Sequence, residues 1–266
     1  MIKVKSLINL LKKNNTHFYT GVPDSVLKEL SISLQNKDKK NHIIATSEGS
    51  AVSIGIGHYL STKKISCIYM QNSGLSNAIN PLISIAHKRV YSIPLILIIG
   101  WRGSPKIKDE PQHNVKGEIT ENILKLLNIK YTILRSNNDL DKFDKQIKVA
   151  RLKSSIVACL IEQGTLEKIK KVDKKKDFYN LDKELFLKTL LQTLKKNTKI
   201  ISSTGFNSRE LMHLRDKFKI VNGKDFYMVG GMGHTSSVAL GYSLSSKEDI
   251  ICIDGDGSLL MHLGSI

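Results

Sequence analysis

Short apolar runs rich in β-branched residues recur along this chain, each followed by a longer stretch with helical spacing. This alternation restricts the fold more than any other feature of the 266 residues. Six strand-length runs come first, at 17–22, 42–46, 65–70, 94–100, 131–134 and 155–161. Helical patterns fall near 25–35, 48–62, 75–88, 118–127 and 138–152, after an amphipathic N-terminal helix. Strands that alternate with helices need crossover connections, which produce a parallel sheet covered on both faces. Near-continuous apolar strands suit that burial. Residues 164–181 are charged, lysine-rich and without apolar period, and read as a linker. A second alternating set follows, with helices at 182–196, 207–217 and 235–246, strands at 199–204, 225–230 and 250–255, and a last helix from Ser258. The expected fold class is α/β: two doubly wound parallel-sheet domains, residues 1–163 and 182–266. The second has three strands where about five or six are usual. A sheet cut short leaves an open edge, so the chain reads as truncated.

Composition removes several function classes. Cys67, Cys159 and Cys252 each sit inside an apolar run, and no C-x-x-C pair is present. Buried, reduced core thiols in a cytoplasmic protein are the expectation. The net charge of +17 raises the question of nucleic acid. The lysines are spread along helices and connectors, however, and the runs at 37–40 and 168–176 have no interleaved aromatic residues. They read as solvated surface, which still favours encounter with a polyanionic substrate. No apolar run approaches the roughly 18 residues of a membrane span, and the N-terminus lacks a signal-peptide pattern.

Open parallel sheets bind ligands beyond the carboxyl ends of their strands, and the unusual residues lie there. GVPDS, SEGS, QNSGL and WRGSPKIKDEPQH follow the first four strands, and STGFNS, GGMGHTSS and GDGS follow those of the second set. The most informative is IICIDGDGS, where an apolar strand runs into Gly255, Asp256, Gly257 and Ser258. Glycines admit a diphosphate to the backbone, a helix start offers unpaired N–H groups, and Asp256 is a hard oxygen ligand for Mg²⁺. The same segment also suits an ordinary glycine-rich turn. Glu48 opens a helix, where a carboxylate is favourable without any chemical role. Asp24, after Pro23, suits a helix cap. His113 suits a solvated loop, and Arg102 a salt bridge with Asp109 or Glu110.

GDGS after such a strand resembles the start of the thiamine-diphosphate motif, whose closing asparagine pair would lie beyond Ile266. TGVPDS, YMQNSGLSNAINPL, LIIGWRGSPKIKDEPQH, SSTGFNSREL and MHLGS resemble the phosphonopyruvate and sulfopyruvate decarboxylases. The resemblance covers most of the chain and is weakest in the linker. It implies thiamine diphosphate and Mg²⁺ as cofactors, with Asp256 as metal ligand. It implies that Glu48 protonates a ring nitrogen of the cofactor's aminopyrimidine and that Asp24 and His113 handle the substrate proton. Many relatives carry two adjacent histidines where this chain has Gln112-His113, so the resemblance leaves the exact proton route open here. Cofactor contacts are implied for Asn72, Ser73, Gly74, Gly205, Gly233, His234, Gly255, Gly257 and Ser258, with Met232 as the wedge that bends the cofactor. Arg102 and Gln112 would face the substrate, with Lys106 and Lys108 in the same loop.

The implied reaction is decarboxylation of 3-phosphonopyruvate, a small 2-oxo acid, to phosphonoacetaldehyde. Sulfopyruvate in place of phosphonopyruvate is the alternative substrate. A non-catalytic subunit or fragment is the reading from another class. The family places its cofactor between subunits, so a homo-oligomer is implied.

Overall fold

The computed structural model describes residues 1–35, 37, 38, 40–105, 107–169, 181–221 and 223–265. The chain divides into two compact units, Met1–Lys171 and Val172–Ile266.

The first unit runs α1 (Val4–Lys13), β1 (Tyr19–Gly21), α2 (Lys28–Gln35), β2 (His42–Ile44), α3 (Glu48–Thr62), β3 (Ser66–Gln71), α4 (Leu75–Pro81), β4 (Leu95–Trp101), α5 (Pro111–Leu126), β5 (Lys130–Leu134), α6 (Asn137–Leu152) and β6 (Val157–Glu162). The six strands form one sheet in the order β2-β1-β3-β4-β6-β5, with every pairing parallel. Side chains alternate between its faces, as the pleat requires. Tyr19, Cys67, Tyr69, Ile96, Ile98, Val157 and Cys159 pack with α1, α2 and α6 on one side. Ile68, Met70, Leu95, Leu97, Ile99, Ala158 and Leu160 pack with α3, α4 and α5 on the other. The chain leaves β1 towards β2 and returns past it to β3, so strand order reverses between β1 and β3. A crevice at the carboxyl ends is expected at such a reversal.

The second unit runs α7 (Lys183–Thr193), β7 (Lys199–Ser202), α8 (Phe206–Phe218), β8 (Lys224–Tyr227), α9 (Thr235–Ser243), β9 (Ile250–Ile253) and α10 (Asp256–Met261). Its parallel sheet has the order β8-β7-β9. Leu187 and Leu191 of α7 and Leu211 and Leu214 of α8 pack on Ile200, and Ala239 of α9 packs with Ile201 on the opposite face.

Three local readings of the sequence need correction. The helix expected from residue 118 starts seven residues earlier, at Pro111. Proline is pre-organised for the first helical position, and the polar run after it hides the apolar period. Gln112 and His113 therefore stand on a helix and not in a loop. The pattern at 75–88 is α-helical only to Pro81, followed by a single π-turn, Leu82–Ala86. Cys67 and Cys159 are buried as expected, whereas Cys252 is exposed because β9 is an edge strand among those described. Of the expected linker, Leu166 bridges to Ile2, while residues 170–180 lie outside the described residues, as does Lys106.

Candidate active site

The carboxyl ends of β1, β2 and β3 bring three sequence-distant segments together. Glu48 is the first residue of α3, behind Ser47, whose hydroxyl accepts from the Ser50 N–H at 3.3 Å. That cap fixes where the helix begins and so where the carboxylate stands. Glu48 is buried, only 4% exposed. Its Oε2 accepts from Asn77 Nδ2 at 3.0 Å. Its Oε1 faces Gly74, where a Cβ would fall 2.1 Å from that oxygen. The glycine is required there by the close approach of the carboxyl group.

Asp24, also buried, follows β1. Its Oδ2 accepts from the N–H groups of Val26 and Leu27 at 3.1 and 3.2 Å, so it caps the turn into α2. Its Oδ1 accepts from Gln71 Nε2 at 2.5 Å. A Cβ on Gly100 would lie 2.1 Å from Oδ2, so β4 must be bare at this point. Burial pushes the Asp24 carboxyl above its ordinary value, against the hydrogen bonds from Gln71 and the backbone and the charge of Arg102. His113 lies in the same electrostatic neighbourhood. Burial, and then the charge of Arg102, holds its imidazole below the usual range.

The loop after β4 is organised by Asp109. Arg102 donates to it through Nε at 2.7 Å and NH2 at 2.5 Å. The N–H groups of Gly103 and Glu110 donate to the same carboxylate at 2.9 and 2.8 Å. These four bonds, the Arg102 pair foremost, hold the Asp109 carboxyl well below the carboxylate range. One edge of the guanidinium is thus used, and among the described residues NH1 reaches Ser25 Oγ, at 3.4 Å. Asn72 joins β3 to this loop: it accepts from the Arg102 N–H at 3.1 Å and donates to the Arg102 carbonyl and Thr120 Oγ1, both at 2.9 Å. The side chain expected at the cofactor is thereby occupied in a structural latch. Ser73 Oγ donates to Gln71 Oε1 at 2.6 Å, and Lys116 Nζ donates to the Ser73 carbonyl at 3.1 Å. Gln112 Nε2 donates to Glu110 at 2.5 Å.

In the second unit the turns after β8 and β9 meet. The Gly233 N–H donates to Ser258 Oγ at 2.9 Å. Gly233 has a φ of +93°, and a Cβ there would stand 2.7 Å from the His262 ring. The rings of His234 and His262 stack at 4.7 Å. The Met232 methyl lies 3.3 Å from where a Gly257 Cβ would be, so the expected wedge and the GDGS turn share one surface. Gly255 is the residue before α10, and its N–H donates to Ser203 Oγ at 3.2 Å. Gly205, with φ +89°, starts α8 with open space around it. Asp256 is exposed, and its Oδ1 accepts from the Gly257 N–H at 2.8 Å.

Two family models match this architecture: the N-terminal TPP-binding domain of thiamine pyrophosphate enzymes over residues 3–125, and the C-terminal TPP-binding domain over 203–266. The chain belongs to the thiamine pyrophosphate enzymes. It is 31% identical to phosphonopyruvate decarboxylase of Streptomyces viridochromogenes and 32% identical to that of Streptomyces hygroscopicus, in each case over 92% of this chain and 64% of the relative. It is 26% identical to sulfopyruvate decarboxylase of Methanosarcina acetivorans, over 97% of this chain and 69% of the relative. The chain thus spans 64% of the length of the two phosphonopyruvate decarboxylases. Benzoylformate decarboxylase from Polynucleobacter necessarius shares the fold, with a TM-score of 0.52 at 22% identity over 77% of this chain and 39% of that one. The expectation of a thiamine-diphosphate enzyme of the phosphonopyruvate/sulfopyruvate decarboxylase type, with two parallel α/β domains, is met.

The residues present fit the family's cofactor. A buried carboxylate with one oxygen aimed at a bare glycine suits a nitrogen base. No group of three or more His, Cys, Asp or Glu side chains that could hold a metal occurs among the described residues. A lone carboxylate suits Mg²⁺ shared with phosphate oxygens and water. Sequence reading gave no role to Gln71, Asn77 and Lys116, each of which acts through a partner 29 to 47 residues away, whereas Asp109 was one of the two partners expected for Arg102.

Proposed function

We propose that this protein is a thiamine-diphosphate- and Mg²⁺-dependent decarboxylase that converts 3-phosphonopyruvate to phosphonoacetaldehyde and CO₂. The observation that carries the reading is the buried Glu48 carboxylate, held by Asn77 and set against Gly74. Identity to two phosphonopyruvate decarboxylases over 92% of the chain supports the choice of substrate. Thiamine diphosphate, when bound, supplies a nucleophilic carbon and a sink for the electrons that CO₂ leaves behind. Glu48 holds a proton at a ring nitrogen of the cofactor. As a positioned acid and base, Asp24 and His113 shuttle the proton that replaces CO₂ on the substrate carbon. Asp256 holds the metal, and the Met232–His234 turn receives the cofactor beside Ser258. The working form is a homo-oligomer in the cytoplasm. Supporting that compartment, the buried thiols Cys67 and Cys159 are unpaired, and no described helix is long and apolar enough to cross a membrane.

The test is turnover of phosphonopyruvate, sulfopyruvate and pyruvate by the intact gene product with thiamine diphosphate and Mg²⁺. Phosphonopyruvate is expected to give the highest kcat/KM. Preference for sulfopyruvate would reassign the substrate, and inactivity on all three would sink the reading.

Two further outcomes are expected. Gly74→Ala should lower kcat by about 10²-fold, because the new methyl displaces the Glu48 carboxylate by the order of an ångström. Unchanged kcat in a folded variant would remove Glu48 from the chemistry. In this reading the outer nitrogen of Arg102 meets the phosphonate. Arg102→Ala should then cost about 10²-fold in kcat/KM on phosphonopyruvate and much less on pyruvate. Equal losses on both acids would confine Arg102 to its pairing with Asp109.

A further inference from the structure

Of the groups around Asp24, Gln71 is the one that the proposed chemistry leaves without a task. It ends β3, the strand beside β1, and its amide spans the gap to the loop after β1. A glutamine amide can present either its oxygen or its nitrogen. Here an ionised Asp24, which can only accept, takes Nε2 on Oδ1 at 2.5 Å, and the Ser73 hydroxyl, able to donate or accept, donates to Oε1 at 2.6 Å and holds the amide from its other end. Ser73 is held in turn, because Lys116 Nζ donates to its carbonyl at 3.1 Å. Asp24 therefore receives three donors: two backbone N–H groups on Oδ2 and one side-chain N–H on Oδ1. Of these only the Gln71 amide is set by a side chain.

We infer that Gln71 is a positioning residue for Asp24: clamped by Ser73, its amide fixes the rotamer of that carboxylate and favours the form that can accept a proton. This rests on the role proposed for Asp24 above. The physical reason is the competition at that carboxyl group. Burial opposes its ionisation, while donors directed at the oxygens favour the ionised form. The backbone donors come with the turn into α2 and are independent of Gln71. Removing the amide removes the donor on Oδ1 and leaves burial less opposed.

The charged and titratable neighbours are accounted for. Arg102, at the end of β4, favours the anion of Asp24 and is itself paired with Asp109. His113, on α5, feels both Arg102 and Asp24, and Glu110 and Asp109 bear on it from the same loop. None of these is hydrogen-bonded to Gln71 among the described residues.

The experiment follows the Asp24 carboxyl carbon by NMR in the intact gene product carrying ¹³C-labelled aspartate, with Asp24→Asn to assign the signal. The pH profile of kcat/KM is recorded alongside. Gln71→Met, of similar length and without the donor, should raise the Asp24 midpoint by about one pH unit. The acidic limb of the profile should move with it. Gln71→Glu sets a second carboxyl against the first, and two carboxyls in contact share one proton. It should move the midpoint further in the same direction, and it serves if the methionine variant fails to fold. A loss of packing alone would lower kcat and leave both midpoints in place. An Asp24 midpoint unmoved in the folded variants overturns the inference, whatever the enzyme turns over. A moved midpoint with an unmoved profile overturns the role given to Asp24, and with it the part of Gln71 in the reaction.

Discussion

Glu48→Gln is expected to retain thiamine diphosphate and lose turnover by about 10²- to 10⁴-fold, the range over which a positioned proton donor contributes. The substitution is nearly isosteric, so the packing that buries residue 48 against Gly74 persists. The amide can still accept from Asn77 through its oxygen, in place of the carboxylate that does so at 3.0 Å. Its nitrogen then takes the position of Oε1. An N–H group there donates weakly and yields no proton, so a ring nitrogen would be met by a donor that cannot ionise. Binding, which depends on shape and on the diphosphate, is insensitive to this change, whereas turnover is not. Calorimetric titration with the cofactor and kcat on phosphonopyruvate separate the two. Near-normal kcat would remove Glu48 from the reaction, and lost cofactor affinity would make it a binding group.

Asp256→Ala should lower cofactor affinity in the presence of Mg²⁺ by about 10²-fold or more, because Mg²⁺ in such sites is held by one or two carboxylates together with phosphate oxygens. Its neighbour Asp254 provides the control. Asp254 Oδ1 accepts from Thr235 Oγ1 at 3.2 Å and from the Gly255 N–H at 2.9 Å, so it ties α9 to the turn. Asp256 is exposed, with the Gly257 N–H on one oxygen. Asp254→Asn should therefore change stability more than metal dependence, and Asp256→Ala the reverse. Chelating Mg²⁺ from the wild-type protein should reproduce the Asp256→Ala affinity. Unchanged calorimetry in that variant would exclude Asp256 as the metal ligand.

Much of this was legible in the residues themselves. The central strands β3, β4 and β6 lie where short β-branched apolar runs stand, because a strand buried on both faces must be apolar throughout, whereas β8, Lys224–Tyr227, is half-exposed and carries no such run. The start of α3 at Glu48 was legible from the serine before it, since capping is local. The cofactor class was legible in Gly255, Asp256 and Gly257 and in the long matching loops, which keep their order in sequence. The start of α5 was not, because the residues after Pro111 are polar and lack apolar period.

The sequence by itself determined the class of fold and the order of its elements, both of which follow from local propensity and the alternation of apolar runs. The tertiary structure alone decided how the polar groups pair. Gln71 meets Asp24 across 47 residues, and Asn72 meets Thr120 across 48. Asn77 reaches Glu48 across 29. Arg102 and Asp109 are close in sequence, yet the alternative partner Glu110 stood beside Asp109, and only the loop geometry selects between them. The reason lies in strand order. β1 pairs with β3 and not only with β2, and that neighbour relation depends on the packing of both faces of the sheet, which no local pattern contains.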